Sequence, residues 1–492
     1  MPRANVRTTL TASIRSHLAA GCLALLAGCA VGPDYQPPEL DAPAQFSAEH
    51  NAQPFDQTQE ARFWDGFGDP LLAELIGQSL TANLDLQAAL TRYQRAEALL
   101  RGSRSEQLPT VGLGASAAAQ HLPEVDRLPG ADEDIERYRI DANASWELDL
   151  FGRLRRASEA QGARLQATEA ELAALRVALV GQLASSYFEL RGLQQQLDVA
   201  QRNVALQQDS LAIVSARLDA GRSTDFDVLR ARAQLASTRA DIPQLQAEIR
   251  VRMHRLAVLT GQSPGALIDR LSPATALPAV TPSIPAGSPG EALRRRPDIR
   301  QAERQLAAAT ADIGVATADL FPRFSLDALL GTVALDGGDL FTGGAESRRV
   351  ALGIDWTFLN FGRVRARIDA EDADARAALA EYRQVVLEAL EETENRLVRY
   401  RRAQQRSAEL AEAAGAAHKA VQLARTRYEQ GYVGYFEVLD AERERLANDN
   451  ALTQSRTATV LAMVDLYRTL AGAPDRPHAA NHATPARVAK AL

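Results

Sequence analysis

Two stretches of this chain are versions of one another. Arg217 to Arg232 reads RLDAGRSTDFDVLRAR, and Arg427 to Arg443 reads RYEQGYVGYFEVLDAER. Arg217 matches Arg427, Gly221 matches Gly431, Phe226 matches Phe436 and Leu229 matches Leu439, all 210 positions apart (427 minus 217). Each copy interrupts a long helical pattern at a glycine, the residue that accepts the positive φ a tight helix–helix turn needs. The restart FEVLDAER sets Phe436, Asp440 and Arg443 at i, i+4 and i+7, on one helical face. The chain is therefore a helical hairpin made twice, and any fold it adopts must have two like halves.

The helices are long. Apolar or small residues recur at Leu172, Leu175, Leu179, Leu183, Ser186, Leu190, Leu193, Leu197, Ala200, Val204, Gln207, Leu211, Val214 and Leu218, in the alternating steps of three and four of a coiled-coil seam. A helix from Phe151 to Leu218 would span roughly 100 Å at ~1.5 Å per residue. The second seam, through Ala389, Tyr400, Ala403, Leu410, Ala414 and Val421, is thinner in leucine. Hydrophobic residues make up 46% of the chain but aromatics only 5%, which suits helices in close contact better than a thick core. A net charge of −7 argues against a nucleic-acid partner. The 2 cysteines, Cys22 and Cys29, both precede the body of the chain, so no disulfide framework or cysteine metal site is available there.

Residues 1–28 read as a signal peptide: Arg3, Arg7 and Arg15 precede an apolar run from Leu18 to Ala27, too short to span a membrane. The run ends Leu26-Ala27-Gly28-Cys29, which resembles a lipobox and marks Cys29 for acylation; an ordinary secretory signal is the alternative. An extended segment (29–69) follows. The first repeat covers 70–262, with helices over about 84–107, 151–218 and 225–259 and strands over about 110–121 and 139–148. Pro243 is expected to bend the last of these helices. A Pro/Gly-rich linker (263–290) leads to the second repeat (291–472), with helices over about 298–320, 361–429 and 435–470 and strands over about 323–334 and 349–358. The tail (473–492) reads as disordered.

The strands carry the most diagnostic local pattern. Arg139 to Leu148 alternates polar and apolar residues through Trp146, and Arg349 to Phe358 does so through Trp356. Such strands fit an outer-membrane β-barrel with interface tryptophans; a sheet resting on a soluble core gives the same alternation. Four strands cannot close a barrel, and open edges cannot face lipid, so membrane strands would require the chain to oligomerise. Every helix would then lie on one side of the membrane, the periplasmic side if Cys29 is acylated.

These features together resemble the TolC family of outer-membrane factors, in its lipoprotein branch of OprM- and NodT-like efflux channels. The residues that carry the resemblance are Cys29-Ala-Val-Gly-Pro-Asp-Tyr35, the Phe63-Trp64, Phe67 and Asp69-Pro70 opening, Asn83-Leu84-Asp85-Leu86, the two Phe-Gly-Arg starts at Phe151 and Phe361, and the two glycine tips. The resemblance implies an all-α periplasmic coiled-coil tunnel plus a trimer-shared 12-stranded transmembrane β-barrel, with internal duplication. It implies a non-enzymatic exit duct in the outer membrane of a Gram-negative bacterium, with no cofactor beyond the lipid on Cys29. The partners implied are two further copies, a periplasmic adaptor with its inner-membrane pump, and outer-membrane lipid. The tips at Arg217, Gly221, Arg427 and Gly431 would meet the adaptor.

The gate implied by the resemblance is lined by Phe436, Asp440 and Arg443. An acidic pair found elsewhere in the family falls on Glu437 and Asp440. A tyrosine–aspartate link between neighbouring tips falls on Tyr428 and Asp227, while the basic partner of a second link is replaced by Val433. Three functions stay open at this point: an efflux duct, the exit duct of a type I protein secretion system, and a non-conducting coiled-coil lipoprotein bracing the envelope.

Overall fold

A computed structural model describes residues 30–47, 63–127, 129–130, 132–278 and 287–470. Cys22, Cys29, the expected signal peptide and the tail from 473 lie outside the described residues. Along the described residues the order is α1 (Pro70–Ala82), α2 (Leu84–Ser105), β1 (Thr110–His121), β2 (Asp134–Leu148), α3 (Arg153–Asp219), α4 (Asp225–Leu259), the short α5 (Ile268–Leu271) and α6 (Pro289–Arg295), α7 (Pro297–Ala318), β3 (Arg323–Ala334), β4 (Glu346–Asp355), α8 (Phe361–Glu429) and α9 (Tyr435–Leu470). The chain divides into two compact units. Among the described residues, the one drawn from Met1–Glu39, Arg92–Glu169 and Gln301–Arg383 holds the strands, and the other, drawn from Leu40–Thr91, Ala170–Arg300 and Gln384–Leu492, is helical.

In the strand unit, β1 to β4 form one antiparallel sheet in chain order. The register keeps apolar residues on one face: Leu113 lies opposite Ala142, Ala142 opposite Leu330, and Leu326 opposite Leu352. Nothing in the chain covers that face among the described residues. Leu113 is 87% exposed and Val350 77%. A sheet resting on a core of the described residues would bury this row, so among them that alternative finds no support, and the face is left bare as a surface for another apolar partner.

Two strand limits differ from those expected. β2 starts at Asp134 rather than near Arg139, because β1 pairs with it as far as His121 opposite Asp134, past the point where strict alternation lapses. β4 ends at Asp355, so Trp356 and Phe358 lie beyond the strand. The ladder's last pair is Arg323 with Asp355; the next position across is Pro322, which has no N–H to give. The indole of Trp356 turns instead to the end of the preceding helical segment and donates to the Leu320 carbonyl at 3.1 Å. Trp146 does the same in the first half, donating to the Gln107 carbonyl at 2.9 Å.

The same unit grips residues 30–35. The Arg156 side chain, 5% exposed, donates to the Val31 carbonyl at 3.2 Å and to Asp34 at 2.6 Å. The Val31 N–H donates to Phe151 at 3.1 Å, and the Tyr35 hydroxyl donates to Glu303. Glycines make the slot. A Cβ on Gly32 would stand 2.5 Å from the Gly314 backbone, and one on Gly152 would stand 2.7 Å from that of Ala30.

In the helical unit, Asp69 caps α1 by accepting from the Leu71 and Leu72 amides at 3.1 and 3.2 Å, with Pro70 at the first helical position. Its other oxygen accepts from the buried Tyr187 hydroxyl at 2.5 Å. Phe63 stacks on Tyr467 at 4.1 Å, which ties the segment before α1 to α9. α4 runs through Pro243 without a break.

The 67-residue α3 and the 69-residue α8 are each continuous. The seam of α3 shifts along its length. Leu172, Leu179, Leu183, Ser186, Leu190 and Ala200 are buried as the spacing requires, and so are Gln207 and Val214 nearer the tip, but there Asn203 and Ser210 are buried in place of the expected Val204 and Leu211. Val204 and Leu211 are only half-buried.

Candidate functional site

Both helix–turn–helix tips lie in the helical unit and close alike. The Arg222 N–H donates to the Arg217 carbonyl at 2.7 Å, and the Tyr432 N–H donates to the Arg427 carbonyl at 2.9 Å. Each bond spans a glycine of positive φ, 73° at Gly221 and 80° at Gly431, the arrangement that satisfies the last carbonyls of a helix. Thr224 then restarts the first hairpin with a capping box: the Asp227 N–H donates to the Thr224 hydroxyl at 3.2 Å, and the Thr224 N–H donates back to the Asp227 carboxylate at 3.3 Å. A shared core holds the two tips together, with Val214, Val228 and Ala231 from the first half against Tyr428, Tyr435, Val438 and Leu439 from the second.

The expected site residues fall into three groups. Gly221, Arg427 and Gly431 are exposed at the turns. Arg217 is not turned outward with them. It donates to the Tyr428 and Glu429 carbonyls at 2.9 and 3.2 Å, and its guanidinium lies 4.0 Å from the centre of the Tyr428 ring. Arg217 therefore closes the end of α8 from the other hairpin. Tyr428 and Asp227 share no hydrogen bond within the chain: the Asp227 carboxylate serves the capping box, and the buried Tyr428 hydroxyl has no partner among the described residues. Phe436, Glu437, Asp440 and Arg443 are all exposed on α9.

Residues the spacing did not single out complete the site. From α4, Arg230 places its guanidinium 4.8 Å from the Phe436 ring and 5.2 Å from the Phe226 ring. Arg443 donates from Nε to the Gln234 side-chain oxygen at 2.6 Å. Behind the exposed face, Glu442 is 2% exposed. One of its oxygens accepts from Arg425 at 2.6 Å and from the Ser210 hydroxyl at 2.8 Å, while the other is buried without a partner among the described residues. Burial, reinforced by the negative charge of Glu442, keeps the Tyr435 hydroxyl protonated well above the ordinary phenol range. Arg445 donates to Asn203 in the same layer. The signal for this layer was the spacing itself, since Asn203, Gln207 and Ser210 keep the steps of four and three that the apolar seam keeps elsewhere.

The arrangement offers exposed charge and aromatic rings at a turn, with no nucleophile and base brought together. Among the described residues no group of three or more His, Cys, Asp or Glu side chains is placed to hold a metal ion. None of the helices there is long and apolar enough to cross a membrane.

A family model described as outer membrane efflux protein matches residues 75–262 and 288–472, one block in each half. The chain belongs to the outer membrane efflux protein family. It is 33% identical over 460 residues to the solvent efflux pump outer membrane protein SrpC of Pseudomonas putida, covering 92% of this chain and 96% of that one. It is 31% identical over 440 residues to nodulation protein T of Rhizobium leguminosarum bv. trifolii, covering 88% and 91%. Among solved structures, that of the outer-membrane channel OprN superposes with a TM-score of 0.84 at 42% identity, over 90% of this chain and 99% of that one. The family is one of outer-membrane efflux ducts, channels rather than enzymes, and SrpC is by name part of a solvent efflux pump. This efflux protein accordingly carries its two family blocks on the two halves that the tip sequences first marked out.

Proposed function

We propose that three copies of this chain share one 12-stranded barrel in the outer membrane and form the exit duct of a tripartite pump for small toxic molecules. The observation that carries this reading is the sheet: four strands whose apolar face is bare and whose outer members, β1 and β4, each keep one side of the ladder free. Pairing β4 of one copy with β1 of the next removes every edge and turns the bare face to lipid. The polar face, with Asp141, Asn143, Ser145 and Asp327 on it, then lines a lumen.

In this reading Cys29 carries the lipid, and the long helices stand in the periplasm. Trp146 and Trp356 sit at the membrane interface, and Phe436, Glu437, Asp440 and Arg443 line the gate. The exposed turns at Gly221 and Gly431, with Arg427, meet the adaptor, while Arg217 holds the tips in shape for that contact.

The test is a heat-labile trimer on electrophoresis and single-channel conductance from the same preparation in planar bilayers. A monomer, or a trimer that does not conduct, overturns the duct. A cysteine placed at Tyr432, a position 75% exposed, should capture a periplasmic adaptor by cross-linking in intact cells. Capture of the adaptor of a protein exporter would move the assignment to secretion.

A further inference from the structure

Arg230 is a half-buried cation with no carboxylate partner among the described residues. Two phenyl rings hold it instead, Phe226 from its own helix and Phe436 from α9. One turn further along α4, Gln234 receives the hydrogen bond from Arg443. Phe226, Arg230 and Gln234 are spaced by four and so form one stripe. The rings and side chains they meet belong to the exposed face of α9 that carries Phe436, Asp440 and Arg443. The duplication makes the pairing unequal. Arg230 stands 210 positions before Asp440, so the first half has a cation where the second has a carboxylate.

We propose that Arg230 and Gln234 are positioning residues that fix Phe436 and Arg443 against α4 and thereby set the width of the constriction. The inference rests on the gate reading above and adds to it the residues that hold the gate in place. A guanidinium stacks its flat face on an aromatic ring, which steers the ring as well as attracting it. The Arg443–Gln234 bond joins a charged donor to a neutral acceptor on the opposing helix, so it pins the arginine head without neutralising it. Asp440, between these two contacts on the same face, is exposed and has no bonded partner among the described residues. The brace thus holds an apolar ring and a cation in fixed places and leaves the carboxylate free to face the passage.

The experiment uses the full-length trimer in planar bilayers, reading closed-state conductance. Arg230→Ala should raise it about two- to fivefold, the factor that corresponds to losing an interaction of this class. Arg230→Lys should restore only part, because the charge returns without the flat stacking surface. Gln234→Leu should also raise conductance. Gln234→Glu should lower it by setting a carboxylate opposite Arg443, and that fall should vanish when Arg443→Ala is added. Opposite signs at one position are not expected from a residue that merely supports the fold. If Phe436→Ala raises conductance while Arg230→Ala and both Gln234 variants leave it unchanged, the brace is overturned and the gate stands. If Phe436→Ala also changes nothing, the gate is overturned and the brace with it. Should Arg230→Ala fail to form trimers, the two Gln234 variants and their Arg443→Ala counterparts decide the matter alone.

Discussion

Glu442 is a carboxylate 2% exposed, with one oxygen satisfied by Arg425 and Ser210 and the other facing nothing among the described residues. Removing one partner of such a pair costs more than removing both, because the surviving charge stays buried. Arg425→Ala should therefore destabilise the helical unit by about 3 kcal/mol, while Arg425→Met combined with Glu442→Leu should recover most of that. Urea titrations of far-UV dichroism for the single and double variants check the ordering. Tyr187 gives a pH dependence of known sign. Burial, together with its bond to Asp69, pushes the Tyr187 hydroxyl up to about 12, with Arg191 opposing. A group whose value is raised on folding contributes stability that is whole below its unfolded value and is lost as the pH rises through the folded one. The stability difference between the parent and Tyr187→Phe should hold steady up to about pH 10, the ordinary tyrosine value, and shrink towards about 12. Denaturation midpoints measured in steps across that window would show it.

The tip glycines look alike in sequence but differ as parts of an element. Gly431 has φ 80° with open space around a Cβ, so Gly431→Ala pays only for the backbone, about 1 kcal/mol. Gly434 lies outside the positive-φ set, and a Cβ there meets only the Glu437 side chain at 3.3 Å, so Gly434→Ala should cost less. Hydrogen exchange of the amides at the end of α8 ranks the two. Much of each element was legible because its signal is local. Period two marked the strands, and a glycine between two seams marked each turn. What escaped depends on a partner far along the chain. β4 stops at Asp355 because Pro322 stands across from the next residue, which no reading of Arg349 to Phe358 contains. Asn203 and Ser210 are buried because Arg445 and Glu442 come to meet them, and a search for apolar steps passes over both. Arg217 reads as an exposed tip residue until the Tyr428 carbonyl is seen beside it.

For the whole molecule, the duplication accounts for the family match in two blocks and for the two tips, and departures from it mark where the halves do different work. Asp440 against Arg230 is one such departure. In a trimer, one carboxylate per copy makes a ring of negative charge, which favours cations in a narrow passage. Asp440→Ala should lower cation selectivity, and an unchanged reversal potential in asymmetric salt would contradict this. The slot around residues 30–35 has a consequence of another kind. Ala30 lies against Gly152, and the Val31 N–H and carbonyl beside it are held by Phe151 and Arg156. A group carried on a long flexible linker explores a volume that grows with the linker. Residues 30–35 have no such freedom, because side chains and backbone of the strand unit hold them in one corner, where α3 begins, and any other chain segment competing for that slot would have to displace the Arg156 and Phe151 contacts to enter it.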